Sequence, residues 1–383
     1  MNRLGTETAF EVLVKARALE AKGRDIVHLE VGEPDFATPQ NIVDAGVKAL
    51  RDGKTKYTPS AGILELREAI AQHVSATRGV KVTPDMVVVT PGAKPIMFFS
   101  ILALVEPGDE VLYPVPGFPI YESMINYCGG TPVPYLLREE NNFRFDPDEF
   151  RAKVSNQTKL IILNSPHNPT GGVLEESDLR VVAEMAQKFN VTVFTDEIYW
   201  RVLYDGKFVS LLSIPGMQER TILLDGFSKT YSMTGWRLGW GVMPVDLQPH
   251  LARLQTNSNS CVAGFVQYAG VEALTGPQES VGKMVAAFKE RRDTIVDGLN
   301  AIPGFTAKKS RGAFYAFPNV TGVGWDSRKL ADYLLNDAGV ACLSGTAFGA
   351  QGEGYLRFSY ANSLDNIKKA LTRIREAVVK IQD

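Results

Sequence analysis

The sequence contains three cysteines and four histidines, and neither residue type has the spacing of a metal site. Cys128, Cys261 and Cys342 lie far apart and form no C-x-x-C pair, which argues against both a zinc site and a disulfide framework. The histidines show no H-E-x-x-H pattern. We therefore expect free thiols, no bound metal and a reducing, cytoplasmic compartment.

The sequence also lacks a long hydrophobic run and a large net charge. The longest apolar run, residues 95–105, is too short to cross a bilayer, and residues 1–7 contain no apolar segment typical of a signal peptide. The formal net charge of -2 provides no general attraction to nucleic acids or acidic membranes. These features predict a cytoplasmic protein with neither nucleic-acid nor membrane partners.

Short strand-like segments alternate with helical segments through most of the chain. Because parallel strands need crossover helices, the alternation predicts an α/β fold with a mostly parallel, mixed sheet flanked by helices. The 383 residues exceed the roughly 250–300 residues that one core serves, so we predict two domains. A large α/β domain spans 46–280, and a smaller α+β domain combines 1–45 with 281–383. Six strand segments are predicted in the large domain, at 86–90, 110–113, 131–134, 160–164, 192–196 and 221–224. Further strands are predicted at 26–31, 312–317 and 355–360.

Lys229 is the most informative single residue, because it closely follows the apolar strand segment 221–224. Open α/β sheets bind ligands beyond the carboxyl ends of their strands. A lysine amine in a desolvated pocket there loses its proton more readily and can form a Schiff base with an aldehyde. Arg237 follows with a planar fork suited to phosphate. The two residues predict a site for pyridoxal 5'-phosphate; the alternative is a surface lysine after a strand.

Two further segments have features of a cofactor site. The turn Gly92-Ala93-Lys94 joins a strand to an apolar helix, so its backbone N–H groups and the lysine could bind an anion such as phosphate. The alternative is a plain strand-to-helix turn. Phe118 follows the strand segment 110–113 and could stack on a planar ring, although an aromatic residue there also suits the core.

Polar residues at other strand ends predict contacts to the cofactor ring and to a substrate. Asn168 lies in a loop stiffened by prolines and glycines, and its amide could donate to a phenolic oxygen. The carboxylate of Asp196 could pair with a pyridinium N–H, and Tyr199 could reach the same ring. Arg357, in an apolar strand-like run, could bind a substrate carboxylate. The alternatives are a loop that only reverses the chain, a helix N-cap aspartate and a structural carboxylate partner for the arginine.

Together these motifs resemble the class I/II aminotransferases of fold type I, close to the bacterial aspartate-aminotransferase-like branch. The resemblance runs nearly end to end, from residues 29–36 to residues 356–361. It implies an enzyme that uses pyridoxal phosphate and forms a homodimer with shared active sites. The motifs that carry it are Asn-Pro-Thr-Gly at 168–171, Asp-Glu-Ile-Tyr at 196–199, Ser-Lys at 228–229 and Met-Thr-Gly-Trp-Arg at 233–237.

The resemblance implies a role for each site residue. Lys229 would hold pyridoxal phosphate as a Schiff base and act as general base and acid, while Asp196 would pair with the ring nitrogen. Asn168 and Tyr199 would bind the 3-oxygen of the ring, and Phe118 would stack on it. The phosphate would contact Gly92, Ala93, Lys94, Arg237 and Tyr57 of the partner subunit, and the substrate α-carboxylate would contact Gly32, Asn168 and Arg357.

The activity implied by the resemblance is transfer of an amino group from an L-amino acid to a 2-oxo acid by a ping-pong mechanism. Aspartate or a similar amino acid is the favoured donor, and 2-oxoglutarate is the expected acceptor. Two alternatives stay open. One is another pyridoxal-phosphate reaction, such as a C–S β-lyase or oxidase-type reaction, and the other is a non-catalytic ligand-sensing module.

The sequence departs from the family pattern at two places. Gly226 stands where many relatives carry a phosphate-binding hydroxyl residue. A lysine at the position of Lys94 contacts the distal carboxylate of acidic substrates in some relatives, which favours an acidic donor. The first predicted helix, however, presents Ala9, Phe10 and Glu11 where acidic-substrate enzymes of the family can carry small hydroxyl residues. A carboxylate at Glu11 would oppose an acidic side chain if it pointed into the pocket.

Overall fold

The computed structural model describes residues 4–382, in which helices and strands alternate. The α-helices are α1 (Thr8–Glu20), α2 (Gln40–Arg51), α3 (Leu64–Arg78), α4 (Lys94–Leu104), α5 (Ile120–Cys128), α6 (Pro147–Lys153), α7 (Glu176–Lys188), α8 (Phe227–Thr230), α9 (Gln248–Asn259), α10 (Gly264–Thr275), α11 (Glu279–Asn300), α12 (Ser327–Asn336) and α13 (Leu364–Gln382). The strands are β1 (Val27–His28), β2 (Val87–Thr90), β3 (Glu110–Val115), β4 (Thr131–Leu136), β5 (Thr158–Asn164), β6 (Thr192–Asp196), β7 (Thr221–Gly226), β8 (Gly239–Val242), β9 (Tyr315–Ala316), β10 (Val340–Ala341), β11 (Leu343–Ser344) and β12 (Leu356–Ser359).

A seven-stranded sheet forms the centre of the fold, with its strands in the order β2-β8-β7-β6-β5-β3-β4. Strand β8 is antiparallel to both of its neighbours, and the other pairings in this sheet are parallel. Strands β2 and β7 are buried along their whole length, as expected for strands covered on both faces. The prediction of a mostly parallel, mixed sheet flanked by helices is confirmed.

The six strand segments predicted in the large domain coincide with β2 to β7, and the predicted and observed strand ends differ by at most two residues. These strands are rich in valine, isoleucine and leucine, which suit a buried, pleated surface. Strand β8 is absent from the sequence prediction. Its sequence, Gly-Trp-Gly-Val, contains two glycines, and glycine has low strand propensity.

The parallel strands β5, β6 and β7 end at the same edge of the central sheet. In their register Asn164 is opposite Asp196, and Asp196 is opposite Leu224. Strand β7 ends at Gly226, and α8, which contains Lys229, begins directly after it. The topology therefore brings the predicted amide, carboxylate and amine groups to one edge.

A buried ion-pair network supports the strand ends that carry these groups. Arg78 Nε donates to Glu197 Oε2 at 3.0 Å, and Arg78 Nη2 donates to Asp225 Oδ2 at 3.4 Å. The guanidinium also lies 3.9 Å from the centre of the Trp200 ring. Burial raises the pKa of Asp225 to about 7, against the opposing charge of Arg78. Because Glu197 directly follows Asp196, the network fixes the backbone next to the site.

The N-terminal segment pairs with the C-terminal part of the chain outside the central sheet. Strand β1 is parallel to β10, with Val27 opposite Val340. Strands β11, β12 and β9 form a separate three-stranded antiparallel sheet. The division into a domain at 46–280 and a second domain at 1–45 and 281–383 stays a prediction. Within residues 4–382, no helix combines the length and the apolar character needed to span a membrane.

Candidate active site

A cavity of about 550 Å³ lies at the carboxyl edge of β5, β6 and β7. Most of the residues predicted from the sequence to form the site line this cavity, although they come from segments far apart in the chain. Two predicted residues, Gly92 and Tyr57, are outside its lining. The predicted residues that line it are Gly32, Ala93, Lys94, Phe118, Asn168, Asp196, Tyr199, Lys229, Arg237 and Arg357.

Lys229 presents its amine to the centre of the cavity. Its Nζ donates a hydrogen bond to the backbone carbonyl of Gly32 at 2.6 Å. Desolvation lowers the pKa of this amine to about 8, and the positive charges of Arg357 and Arg237 act in the same direction, whereas Glu33 opposes the shift. The surface-lysine alternative is therefore wrong, because the amine faces a cavity and deprotonates more readily than an exposed one.

Asp196 occupies the end of β6, where its carboxylate is held by two donors. Tyr121 Oη donates to Asp196 Oδ2 at 2.8 Å, and the backbone N–H of Ile198 donates to Oδ1 at 3.2 Å. Burial raises the pKa of this carboxyl group to about 6, and the tyrosine bond opposes the rise. Residues 198–201 form a turn instead of a helix, so the helix N-cap alternative is wrong. A cationic N–H group in the cavity would stabilise the ionised carboxylate.

The side chains of Tyr199 and Tyr315 meet at the wall of the cavity that Lys229 lines. The hydroxyl groups of Tyr199 and Tyr315 are 2.7 Å apart, and both residues line the cavity. Glycine is required at position 32, because an added Cβ would lie 1.9 Å from Tyr315 Oη. Tyr315 and Tyr121 are functional candidates that sequence reasoning missed. Tyr315 falls inside a predicted strand, 312–317, and no local motif distinguishes it from a core aromatic residue.

Arg237 packs directly against the predicted phosphate turn. Gly92 has φ +84°, and a Cβ added there would lie 2.2 Å from Arg237 Nη2. The arginine backbone is itself left-handed at φ 52°, and its Nη1 donates to the Thr234 carbonyl at 2.8 Å. The Gly92 turn and the guanidinium of Arg237 thus form one surface that offers N–H donors and positive charge, which suits a phosphate group.

The missing hydroxyl at position 226 has a packing explanation. A Cβ added to Gly226 would lie 3.0 Å from the Cα of Gly239 on the neighbouring strand β8, and 3.4 Å from Ala93 Cβ. Ile198 Cδ1 would lie 3.3 Å away, so a serine or threonine at this position would crowd the neighbouring strand and Ile198. Ser228 lines the cavity and is the nearest hydroxyl residue in sequence.

Arg357 lies on β12 with its guanidinium buried in the cavity wall. Its Nη1 donates to Asn168 Oδ1 at 3.1 Å, its Nη2 donates to the backbone carbonyl of Glu30, and its buried Nε has no partner. Within residues 4–382 no aspartate or glutamate side chain forms an ion pair with it, so the alternative of a structural carboxylate partner is wrong. A buried guanidinium with an unused N–H suits an anionic ligand.

The first helix and the phosphate turn meet at a further ion pair. Lys94 Nζ bonds to the carboxylate of Glu7, and the same Nζ lies 5.5 Å from the centre of the Phe118 ring. Glu7, Ala9 and Phe10 line the cavity. Glu11 is exposed and does not line it. The carboxylate that faces the pocket is thus Glu7, which sequence reasoning missed because it precedes the helix and belongs to no motif.

Tyr57 is the predicted site residue that lies farthest from this arrangement. Its side chain is 90% exposed, and it is outside the cavity lining of its own chain. The resemblance assigns the phosphate contact to Tyr57 of the partner subunit. An exposed tyrosine is available for such a contact, and the contact itself stays a prediction.

The cavity residues fit pyridoxal phosphate. Asp196 offers a buried carboxylate, which needs a cationic partner such as a protonated ring nitrogen. Lys229 offers an amine of lowered pKa, as an aldehyde-binding lysine requires. Arg237 and the Gly92 turn offer a close-packed cationic surface for phosphate, and Phe118 provides an aromatic face in the same cavity.

Comparison with known proteins gives the same family over almost the whole chain. Residues 24–374 match the family model described as aminotransferase class I and II. The chain is 41% identical over 389 residues to the probable aspartate/prephenate aminotransferase of Aquifex aeolicus, covering 100% of this chain and 98% of that protein. It is 40% identical over 361 residues to the aspartate aminotransferase of Pyrococcus horikoshii, covering 94% of this chain and 92% of that protein.

A solved structure agrees with these matches. The aspartate aminotransferase from Thermus thermophilus with maleate aligns with a TM-score of 0.94 at 36% identity, over 98% of this chain and 99% of that chain. Fold and family therefore agree with each other and with the cofactor that the cavity fits. The chain belongs to the class I and II aminotransferase family of fold type I, and it is a transaminase that uses pyridoxal phosphate.

Proposed function

We propose that this aminotransferase transfers the amino group of an L-amino acid to 2-oxoglutarate by a ping-pong mechanism. Aspartate is the first donor to test, since relatives are named as aspartate aminotransferases and Lys94 lines the cavity. The observation that carries the proposal is the convergence of three groups on one cavity: the amine of Lys229, the carboxylate of Asp196 and the guanidinium of Arg357.

The binding residues fix the reacting carbon of the substrate. Arg357 receives the α-carboxylate through the fork N–H groups that Asn168 and Glu30 leave unused, and Asn168 keeps the guanidinium oriented through the 3.1 Å bond. With the carboxylate fixed, the Cα–H bond of the substrate is directed toward the amine of Lys229.

Lys229 moves the proton. Its lowered pKa leaves a substantial neutral fraction near pH 8, so the amine takes the proton from the substrate Cα and later returns it. Pyridoxal phosphate, when bound, supplies an electron sink that stabilises the negative charge left on Cα. Asp196, which accepts a hydrogen bond from Tyr121, would pair with the protonated ring nitrogen, and Tyr199 and Asn168 would bind the ring oxygen.

We also propose a homodimer in the cytoplasm. Support for the dimer comes from Tyr57, which is exposed in its own chain and which the family resemblance assigns to the phosphate of the partner's site. Support for the cytoplasm comes from Cys128, Cys261 and Cys342, which are free thiols, as is usual in a reducing compartment.

The experiment that tests the reaction compares the wild type with Lys229→Ala. The purified enzyme is incubated with L-aspartate and 2-oxoglutarate, and glutamate, ammonia, pyruvate and hydrogen peroxide are measured. We expect glutamate from the wild type without the other three products, and a loss of at least about 10³-fold in Lys229→Ala, which lacks the proton-transferring amine. Lys159→Ala, which removes an exposed lysine on β5, is the matched control.

Each contrary result has a defined meaning. Ammonia with pyruvate from an S-alkyl-L-cysteine, supplied in place of aspartate, would indicate a C–S β-lyase, because that substrate carries a thiol leaving group on Cβ; peroxide would indicate an oxidase-type reaction. Ligand binding without any product from a panel of amino donors would indicate a sensing module. Full glutamate production by Lys229→Ala would refute the assignment of the amine.

A further inference from the structure

We propose that Glu7 is a specificity-determining residue that masks Lys94, so that dicarboxylic substrates such as aspartate are still accepted but are less strongly preferred over substrates with uncharged side chains than they would be without Glu7. The inference rests on the proposed amino transfer and concerns the side-chain end of the same cavity. Within the described residues Glu7 is paired with Lys94 and not with Lys229 or Arg357, so we expect its main effect on the choice of substrate.

The ion pair joins two segments that are far apart in sequence. Glu7 directly precedes α1, and Lys94 is the first residue of α4. The Glu7 side chain is 17% exposed and the Lys94 side chain is 45% exposed, so the carboxylate is the more enclosed member. The backbone N–H of Gly5 donates to Ser123 Oγ at 2.8 Å, which anchors the preceding segment to α5. The carboxylate is therefore held at the cavity wall.

The negative charge of Glu7 reaches the interior of the cavity. Burial lowers the pKa of Lys229 and of Arg357, and the charge of Glu7 opposes both shifts. Within residues 4–382, Glu7 is the only acidic side chain in an ion pair with Lys94. A second carboxylate that approached this lysine would enter beside a like charge, which is unfavourable in an enclosed site.

The surfaces around the pair are apolar. Ala9 and Phe10 follow Glu7 into the cavity lining, and the Phe118 ring lies 5.5 Å from Lys94 Nζ. An uncharged side chain contacts these surfaces while the ion pair stays intact. A dicarboxylate that binds Lys94 must instead displace Glu7 and lose its pairing energy. Competition between Glu7 and the substrate carboxylate for Lys94 thus sets the preference between dicarboxylic substrates and substrates with uncharged side chains.

The test uses the holoenzyme and two substrates that differ in charge but hardly in size, L-aspartate and L-asparagine. We expect Glu7→Gln to raise the ratio of kcat/KM for aspartate to kcat/KM for asparagine by about tenfold, because a like charge is removed beside Lys94. Glu11→Gln, which removes an exposed carboxylate one helical turn away, should leave the ratio within about twofold. Asparagine is the internal reference for any general damage. An unchanged or lower ratio in Glu7→Gln would overturn the proposal.

A binding measurement separates this inference from the proposed reaction. Maleate, a dicarboxylate, and its monoamide maleamate are titrated into the holoenzyme by calorimetry, without turnover. We expect Glu7→Gln to tighten maleate about tenfold relative to maleamate, and to have no such effect in the Lys94→Gln background. The same selective tightening without Lys94 would contradict masking. If no donor yields glutamate, the proposed reaction fails, while the maleate comparison still decides the role of Glu7.

Discussion

At the scale of single residues, the amine of Lys229 has the surroundings that a nucleophile needs. Desolvation favours its neutral form, because a charged ammonium loses hydration inside the cavity wall. The carbonyl of Gly32, 2.6 Å from Nζ, holds the amine in place without neutralising it. Glu33 has the opposite effect on the pKa, since its negative charge favours the ammonium. The balance leaves the pKa at about 8.

This balance predicts the pH dependence of cofactor capture by the apoenzyme. The neutral amine reacts with the aldehyde, and its fraction increases as the pH rises through the pKa. We therefore expect the capture rate of pyridoxal phosphate to rise through about pH 8 and to level off above it. Stopped-flow absorbance over a pH series measures the rate. Glu33→Gln should move the midpoint to lower pH, and a midpoint near that of an exposed lysine would contradict the assignment.

At the scale of secondary-structure elements, the phosphate site depends on contact between a strand and a turn. Gly239 on β8 lies directly under the turn that precedes α4, because a Cβ added to it would lie 2.3 Å from Ala93 N and 2.5 Å from Ala93 Cα. On its other side the same glycine faces Gly226 of β7 in register. The absence of side chains at these two positions thus allows two strands and the phosphate turn to pack together.

Gly239→Ala should therefore damage both stability and cofactor binding. The added methyl group collides with backbone atoms that cannot rotate away, so we expect the free energy of unfolding to fall by about 1–3 kcal/mol and pyridoxal phosphate to bind more weakly. Gly282→Ala in α11 is the matched control, because an added Cβ there has no atom within 4 Å and the residue does not line the cavity; no loss of stability or of cofactor affinity is expected. Urea unfolding followed by circular dichroism provides the comparison. Equal effects of the two substitutions would refute the packing argument.

These elements also show which parts of the fold can be predicted from the sequence. Strands β2 to β7 and the polar residues at their ends have local signals, since apolar runs and the residues that follow them are adjacent in sequence. Strand β8 has no such signal, because its glycines reflect tertiary contact instead of strand propensity.

The missed site residues have a related physical cause. Tyr199 and Tyr315 are 116 positions apart, and the pairing of Glu7 with Lys94 spans 87 positions. Contacts of this kind arise only when distant segments pack, and no spacing within a motif records them. Glu11 illustrates the difficulty, because the sequence places both glutamates near the start of one helix while the fold turns only Glu7 to the cavity.

At the scale of the whole molecule, one chain supplies most of the cavity but not the predicted tyrosine contact to phosphate. Tyr57 is 90% exposed, and large apolar side chains such as Phe10 and Val14 are also exposed in the isolated chain. A partner subunit would have to supply that tyrosine contact to the cavity of this chain. The family resemblance implies that the partner is a second copy of the chain.

Hybrid dimers test this arrangement. We expect Tyr57→Phe to weaken pyridoxal phosphate binding about tenfold, as for one hydrogen bond to a charged group. In a hybrid of a Tyr57→Phe chain and a Lys229→Ala chain, the site with the intact lysine receives Tyr57 of the partner subunit. Its cofactor affinity, measured by equilibrium dialysis with absorbance detection, should equal that of the wild type. Retention of the weakened affinity in the hybrid would refute the shared site.

The anchoring of the segment before α1 has a practical consequence for how the protein is produced. Gly5 is bonded to Ser123, and Glu7 reaches into the cavity two residues later. An affinity tag that disturbed the bond between Gly5 and Ser123 would therefore loosen a segment whose following residues line the cavity. Helix α13 contributes no residue to the cavity lining within the described part of the chain. A tag after α13 is accordingly the arrangement to use for kinetic comparisons of substrates.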